Sequence, residues 1–379
     1  MRTIIACCIA AATAHAQDGW TPTFTEEFDG TGIDTTRWNT SVQHNYNGEL
    51  QTYVDSALLV QDGFLRVSAT MTTSIPYTSG WIDTQGKFSQ LYGYFEIRCK
   101  MPAGQGFWPA FWLLPEDGSW PPEIDVVEFL GHDPNTVYFT NHWTDSSGAP
   151  AFTDPPGFLS GTSDFTGAYH VFAIEWNPLQ ILWYVDGSLV FFSTQGVPAT
   201  PMYVIADLAV GGTWPGSPDG TTVFPGEFDI DYIRVFIKPP PAPPTLLRTM
   251  RNSTSVTLTW VPVPGALAYN VYQSSTTGVS RISYEKKVEA GLGTSLLIIP
   301  DLPEGTSTYF VVTAIGSGGE SEESDEVSSD SALPTLPSLP LDPVKRCGLL
   351  GLDVLIPLGL FWFLRRTRPG PSPSLRRPC

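Results

Sequence analysis

Between about Phe24 and Phe236 the chain consists of short β-rich runs separated by Gly, Pro, Asn and Asp, and no stretch keeps a helical period. Runs of this kind include Gly63 to Ala69, Tyr92 to Lys100, His170 to Trp176, Ile181 to Val185 before Asp186-Gly187, and Tyr232 to Ile237. Such a pattern excludes helical bundles and alternating α/β folds. Many short strands over some 210 residues predict a large β-sandwich.

Composition shifts divide the rest of the chain. Residues 238–244 (Lys-Pro-Pro-Pro-Ala-Pro-Pro) read as a stiff, extended linker. After it Val256, Leu258 and Trp260 alternate, as do Tyr269 and Val271, and a later strand is expected from Tyr309 to Ala314. At the start of the chain Arg2, the apolar run Ile4 to Ala14 and the small-residue site Ala14-His15-Ala16 have the form of a secretory leader. At the other end Cys347, an apolar run from Gly348 to Leu364 and the cluster Arg365, Arg366, Arg368 have the form of an anchor with a stop-transfer flank, although Asp353 and Pro357 interrupt it. Two of the five cysteines, Cys7 and Cys8, belong to the leader, and Cys99 stands alone between Gln17 and Arg346. A disulfide framework is thereby excluded for the body of the protein.

The formal net charge is -18, and seven of the 20 basic residues lie beyond position 344, so the body is more acidic still. An acidic body repels phosphate backbones, which excludes nucleic acid as a partner. The 12 Trp suit flat, uncharged sugar faces, since indole rings offer large apolar surfaces for stacking, although any one of them reads equally well as core.

Chemistry concentrates in Trp120-Pro121-Pro122-Glu123-Ile124-Asp125-Val126-Val127-Glu128-Phe129. Three carboxylates in six residues, set among apolar neighbours, are costly unless they face a cleft. On a regular strand Glu123 and Asp125 share one face and Glu128 points to the other. A single-residue β-bulge near Val126 and Val127 repairs that parity. Glu123 and Glu128 are then about four strand steps, roughly 13 Å, apart at Cα. Side chains leaning inward bring the carboxyls to about 5 Å, the separation of a retaining glycosidase rather than an inverting one. The alternating apolar residues and the missing glycine turn argue against a calcium loop here.

With its bulged Glu-x-Asp-x-x-Glu strand the sequence resembles glycoside hydrolase family 16, in the form similar to laminarinases, agarases and κ-carrageenases. Further runs carry the same resemblance: Asn47-Gly48-Glu49-Leu50-Gln51, Tyr77-Thr78-Ser79-Gly80, Tyr92-Gly93-Tyr94-Phe95-Glu96, Gly104 to Leu114, Ala209 to Gly212, and Ile230 to Val235. The resemblance implies an all-β, concanavalin A-like β-sandwich (jelly roll) as the catalytic domain over residues 17–237. It implies Glu123 as nucleophile, Glu128 as acid/base and Asp125 between them, with Trp108 and Trp112 lining the donor side of the cleft. Asn47, Glu49, His142 and Trp214 are implied as sugar contacts, His142 reading equally as a structural histidine. Also implied is a structural Ca²⁺ at Asp231 and the backbone of Glu27 and Gly63, no cofactor being needed for the chemistry. Two departures from the family stand out: Gly80 and Trp81 stand where laminarinases often carry Arg, and Asp207 stands where Asn is more frequent.

Leu302-Pro303-Glu304-Gly305-Thr306, with Tyr309 after it and Trp260 before it, resembles the fibronectin type III pattern, which implies a small immunoglobulin-like β-sandwich over residues 245–334. The tail resembles bacterial C-terminal sorting signals. The resulting organisation is a leader at 1–16, the catalytic domain, the linker, the second sandwich, a spacer at 335–346 and an anchor segment at 347–379. An exported, extracellular or cell-surface bacterial protein is expected, acting as a monomer on a polysaccharide and attached to the membrane or cell surface through its tail. The expected function is retaining endo-hydrolysis of β-1,3 or mixed β-1,3/1,4 glucans. A galactan hydrolase or a transglycosylase on the same scaffold, and a purely carbohydrate-binding protein, are the rival readings.

Overall fold

The computed structural model describes residues 19–330, apart from 41–46, 75, 154–156, 162, 246 and 292. The leader, the spacer and the anchor segment expected from the sequence lie outside the described residues.

Residues 19–237 form two sheets packed face to face. One has ten strands among the described residues, with Gly226–Ile237 at its centre between Gly93–Lys100 and Phe64–Met71, and His170–Asn177, Gln180–Val185 and Ser188–Ser193 extending one side. The other has seven strands, and Thr136–Thr144, Glu123–Phe129, Phe107–Pro115, Met202–Val210 and Trp81–Asp83 lie side by side in that order. The expected strands are present with ends shifted by a few residues, and Tyr232 to Ile237 is the second half of a longer strand. Among the described residues the one helical element is a single 3-10 turn, Asp55–Ala57.

Period-two alternation explains the packing. From Phe107–Pro115, Phe107, Phe111 and Leu113 enter the inter-sheet core. From Met202–Val210, so do Met202, Val204, Ala206, Leu208 and Val210. They meet Phe95, Ile97, Phe172, Ile174 and Trp176 of the ten-stranded sheet. Each fully buried side chain of this size contributes about 1.5–3 kcal/mol. The alternate residues of the seven-stranded sheet face away from this core, and Trp81, Tyr203, Ile205 and Trp112 form a separate cluster with Tyr53 on that face.

After the proline-rich segment come a three-stranded sheet (Arg248–Arg251, Val256–Thr259, Leu296–Ile299) and a five-stranded sheet built around Ala268–Ser274 and Tyr309–Gly316. Val256, Leu258, Trp260, Tyr269, Val271, Phe310 and Val312 form a separate core. The hairpin at 316–319 lies against the first sandwich. Ser317 Oγ donates to Glu175 Oε1 at 2.6 Å. Gly318 lies so close to the linker backbone that a Cβ there would sit 2.0 Å from the Lys238 carbonyl oxygen, so only glycine fits.

Candidate active site

Glu123–Phe129 carries the bulge that its residue spacing requires. Trp112 pairs with Asp125 and Phe111 with Val127, leaving Val126 as the extra residue, and the register against Thr136–Thr144 shifts at the same place. Val126 and Val127 both enter the core, together with Ile124 and Phe129. Glu123, Asp125 and Glu128 are thereby returned to the opposite face. A bulge also takes backbone groups out of the ladder, and Trp183, reaching across from the ten-stranded sheet, donates its indole N–H to the Asp125 carbonyl at 2.8 Å.

Each carboxylate has its own surroundings. Glu123 Oε2 accepts from Trp120 Nε1 at 3.0 Å, and its Oε1 lies 3.3 Å from His142 Nε2. The same His142 nitrogen is 3.3 Å from Asp125 Oδ2. Glu128 Oε1 accepts from Trp108 Nε1 at 3.1 Å. Burial, and then the Asp125 charge, push Glu123 up to about 8. Burial holds Asp125 up at about 7. Glu128 is driven well above the carboxylate range by burial and then by the charges of Asp125 and Glu123. The three titrate as one set, because ionising one raises the others. His142 and then Trp120 favour the anionic form of Glu123, and Trp108 and then His142 that of Glu128, where burial and the charges of Asp125 and Glu123 outweigh them. Glu123 therefore ionises before Glu128, the order that a nucleophile and an acid require.

Aromatic side chains flank the carboxylates. Trp108 meets Trp214 edge-on at 5.7 Å between ring centroids, and Trp214 in turn meets Tyr138 at 4.8 Å. On the Glu123 side His142 lies between Trp120 and Phe152, at 6.1 and 5.8 Å. Trp112 is held differently: its Nε1 donates to Asp207 Oδ1 at 2.9 Å, and Tyr53 OH donates to Asp207 Oδ2 at 2.7 Å. Glu49 accepts from Gln51 Nε2 at 2.8 Å and lies close enough to Asp207 for its charge to act there. Asn47 adopts a left-handed backbone (φ 55°), and its carbonyl accepts from Thr213 N at 2.8 Å, beside Trp214. Most of the residues expected at the site are thus gathered on one face of the seven-stranded sheet. Trp120, Tyr53 and Tyr138 are additions that their local sequence does not announce.

Two places could attract a cation. Glu123, Asp125 and His142 bring ligand atoms within 4.8 Å of one another, but an ion held there would occupy Glu123, the carboxylate expected to act as nucleophile. At the other, Asp231 pairs with Arg98, and the Glu27 carboxylate is forked by Arg234 at 2.7 Å to each oxygen. The carboxylate proposed for Ca²⁺ thus already has a cationic partner.

The chain is similar to several known glycan-cleaving proteins. The chain is 38% identical over 208 residues to endo-1,3-1,4-beta-glycanase EglC of Rhizobium meliloti, an overlap covering 50% of this chain and 43% of that protein. It is 31% identical over 254 residues to keratan-sulfate endo-1,4-beta-galactosidase of Sphingobacterium multivorum, covering 60% of this chain and 58% of that one. The chain therefore spans between about two-fifths and three-fifths of the length of these relatives. Among solved structures, the catalytic domain of an endo-1,3-beta-glucanase (laminarinase) from Thermotoga petrophila RKU-1 is 36% identical and superposes with a TM-score of 0.51, covering 58% of this chain and 98% of that one. The profile of the glycosyl hydrolases family 16 matches residues 32–234, more than half of the chain, and the protein belongs to that family.

Proposed function

We propose that the protein is a retaining endo-β-glucanase acting on β-1,3 or mixed β-1,3/1,4 glucans. The observation that carries this reading is the bulged strand, which sets Glu123, Asp125 and Glu128 on one face with opposite protonation preferences. Glu123 attacks the anomeric carbon while Glu128 protonates the departing oxygen; Glu128 then takes a proton from water, which frees the sugar with its configuration retained. The charge of Asp125 raises the proton affinity of both and so tunes which of them carries the proton. NMR of the first-formed anomer on laminarin is the test, with a β product expected. An α product would sink the retaining mechanism, and cleavage of agarose but not laminarin would sink the substrate assignment.

The second sandwich is proposed as a fibronectin type III-like accessory module. Support comes from its own hydrophobic core. Export through residues 1–16 and surface retention through residues 347–379 rest on the sequence pattern alone. A full-length protein found wholly in the medium of its native host, C-terminus intact, would refute retention. A Ca²⁺ at Asp231 and the backbone of Glu27 and Gly63 would have to compete with Arg98 and would draw on few of the six to eight oxygens that the ion takes. An unchanged melting temperature on adding EDTA would dismiss a stabilising ion.

A further inference from the structure

The register of the seven-stranded sheet carries the catalytic face beyond the carboxylates. Directly opposed residues of antiparallel strands share a face. Glu128 is opposite Tyr138, and Tyr138 is opposite Phe158 in the short strand Gly157–Ser160. About four strand steps away, roughly 13 Å, Glu123 is opposite His142, and His142 is opposite Phe152 in Pro150–Phe152. Two rows thus cross the strands from the catalytic carboxylates to the edge of the sheet, and each ends on a phenylalanine. That edge lies two strand spacings, about 10 Å, from Glu123–Phe129. Trp112, on Phe107–Pro115, lies on the other side of the same strand.

The pleat explains why these rings stay out of the core. Gly157 comes so close to Phe191 that a Cβ there would sit 2.3 Å from its ring, and Leu159 packs against the inter-sheet core. Alternation directs Phe158, between them, to the other face. Phe158 is 59% exposed, and Phe152, its ring centroid 5.8 Å from that of His142, is 51% exposed. Neither edge strand carries a charged residue, although exposed edges are ordinarily protected by charge. Bare aromatic rings at such an edge are a liability to solubility, which use as a binding surface explains.

The glycosidic bond acted on by Glu123 and Glu128 lies between the two rows. A polysaccharide that crosses the strands from there passes between Phe158 and Phe152. Pyranose rings present flat C–H faces that stack on aromatic rings, and a phenyl ring has no polar group to offer a charged substituent. We infer that Phe152 and Phe158 form a further sugar-binding subsite, which takes uncharged pyranose units of the same polysaccharide chain beyond the reacting bond. This deepens the proposed glucanase reading and rests on it. An endo-acting enzyme needs such a hold, because its substrate continues on both sides of the bond that it cuts.

The test is the length dependence of kcat/KM over a series of laminarioligosaccharides up to laminarin, with the reducing end labelled so that the cleaved bond is identified. Phe152→Ala and Phe158→Ala should each lower kcat/KM on laminarin by about fivefold, and on the shortest oligosaccharide that the wild type cleaves by less than about twofold. The cleaved bond should move along oligosaccharides of intermediate length as they lose one of their anchors. Phe158→Tyr, which keeps a ring, should stay near wild type. Both phenylalanines are exposed, so their truncation should leave the melting temperature in place. A loss equal on short and long substrates, or no loss on laminarin from either truncation, would overturn the inference. Should laminarin and its oligosaccharides resist cleavage altogether, the substrate reading falls instead, and the same length series made from whichever polysaccharide is cleaved decides the subsite.

Discussion

Trp108→Phe isolates one hydrogen bond in the catalytic set. The substitution keeps an aromatic ring against Trp214 and removes the donor 3.1 Å from Glu128 Oε1. An N–H bond to a carboxylate is worth about 1.5–3 kcal/mol when protected from water. Glu128 is partly open to solvent, so a figure of about 1.4 kcal/mol is more apt, equivalent to about one pH unit. The sign follows from the charge. The indole stabilises ionised Glu128 and holds its pKa down, so removing it raises that pKa further. Since kcat/KM falls at high pH as the acid loses its proton, the alkaline limb should move upward by about one unit. The acidic limb, where Glu123 must be ionised, should stay nearly in place. A pH profile of kcat/KM on laminarin reads both limbs. An alkaline limb that is unmoved or shifted to lower pH would refute the assignment of Glu128 as the acid held by Trp108.

Four other outcomes are expected. Glu123→Gln should abolish turnover, whereas Glu128→Ala should recover part of its activity in azide and yield a glycosyl azide of retained configuration; failure of rescue with an activated aryl glucoside would count against Glu128 as acid/base. Deleting Val126 removes the bulge and turns carboxylates toward Phe111 and Phe139, so activity should vanish and stability fall by about 3–5 kcal/mol in urea unfolding; an active variant would show that the bulge is dispensable. Glu123, Asp125, Glu128 and Asp207 all have raised pKa values, so the folded state holds protons that the unfolded state has released above about pH 4. Their contribution therefore becomes less favourable as pH rises, and the melting temperature should drop between pH 5 and 8; calorimetry showing the reverse would contradict these shifts. Truncation after Ile237 retains the Thr21–Ile237 pairing and should leave activity on soluble glucan within about tenfold, or about 1.4 kcal/mol, of the full chain. A larger loss would mean that the Ser317–Glu175 contact matters for catalysis.

What could be read from residues alone was whatever depends on local periodicity. Alternation marked the strands. The odd spacing between Glu123 and Glu128 demanded an extra residue in one strand, and Val126 is that residue. Parity is a property of a few consecutive positions, so no partner strand was needed to deduce it. Contacts between distant strands were a different matter. Tyr53 and Trp112 reach Asp207 from 154 and 95 positions away, and the register of Met202–Val210 against Phe107–Pro115 decides that they meet. Asp207 stood out in the sequence as a departure from the family, with no sign of what it holds. Trp120 sat next to the motif, yet its donation to Glu123 depends on how the intervening Pro121 and Pro122 return the chain to the cleft. The linker was legible as proline-rich, but the docking of residues 316–319 against it was not. Side-chain direction along one strand follows from covalent geometry, while which strands become neighbours, and in what register, is settled only when the two sheets bury their apolar faces against each other.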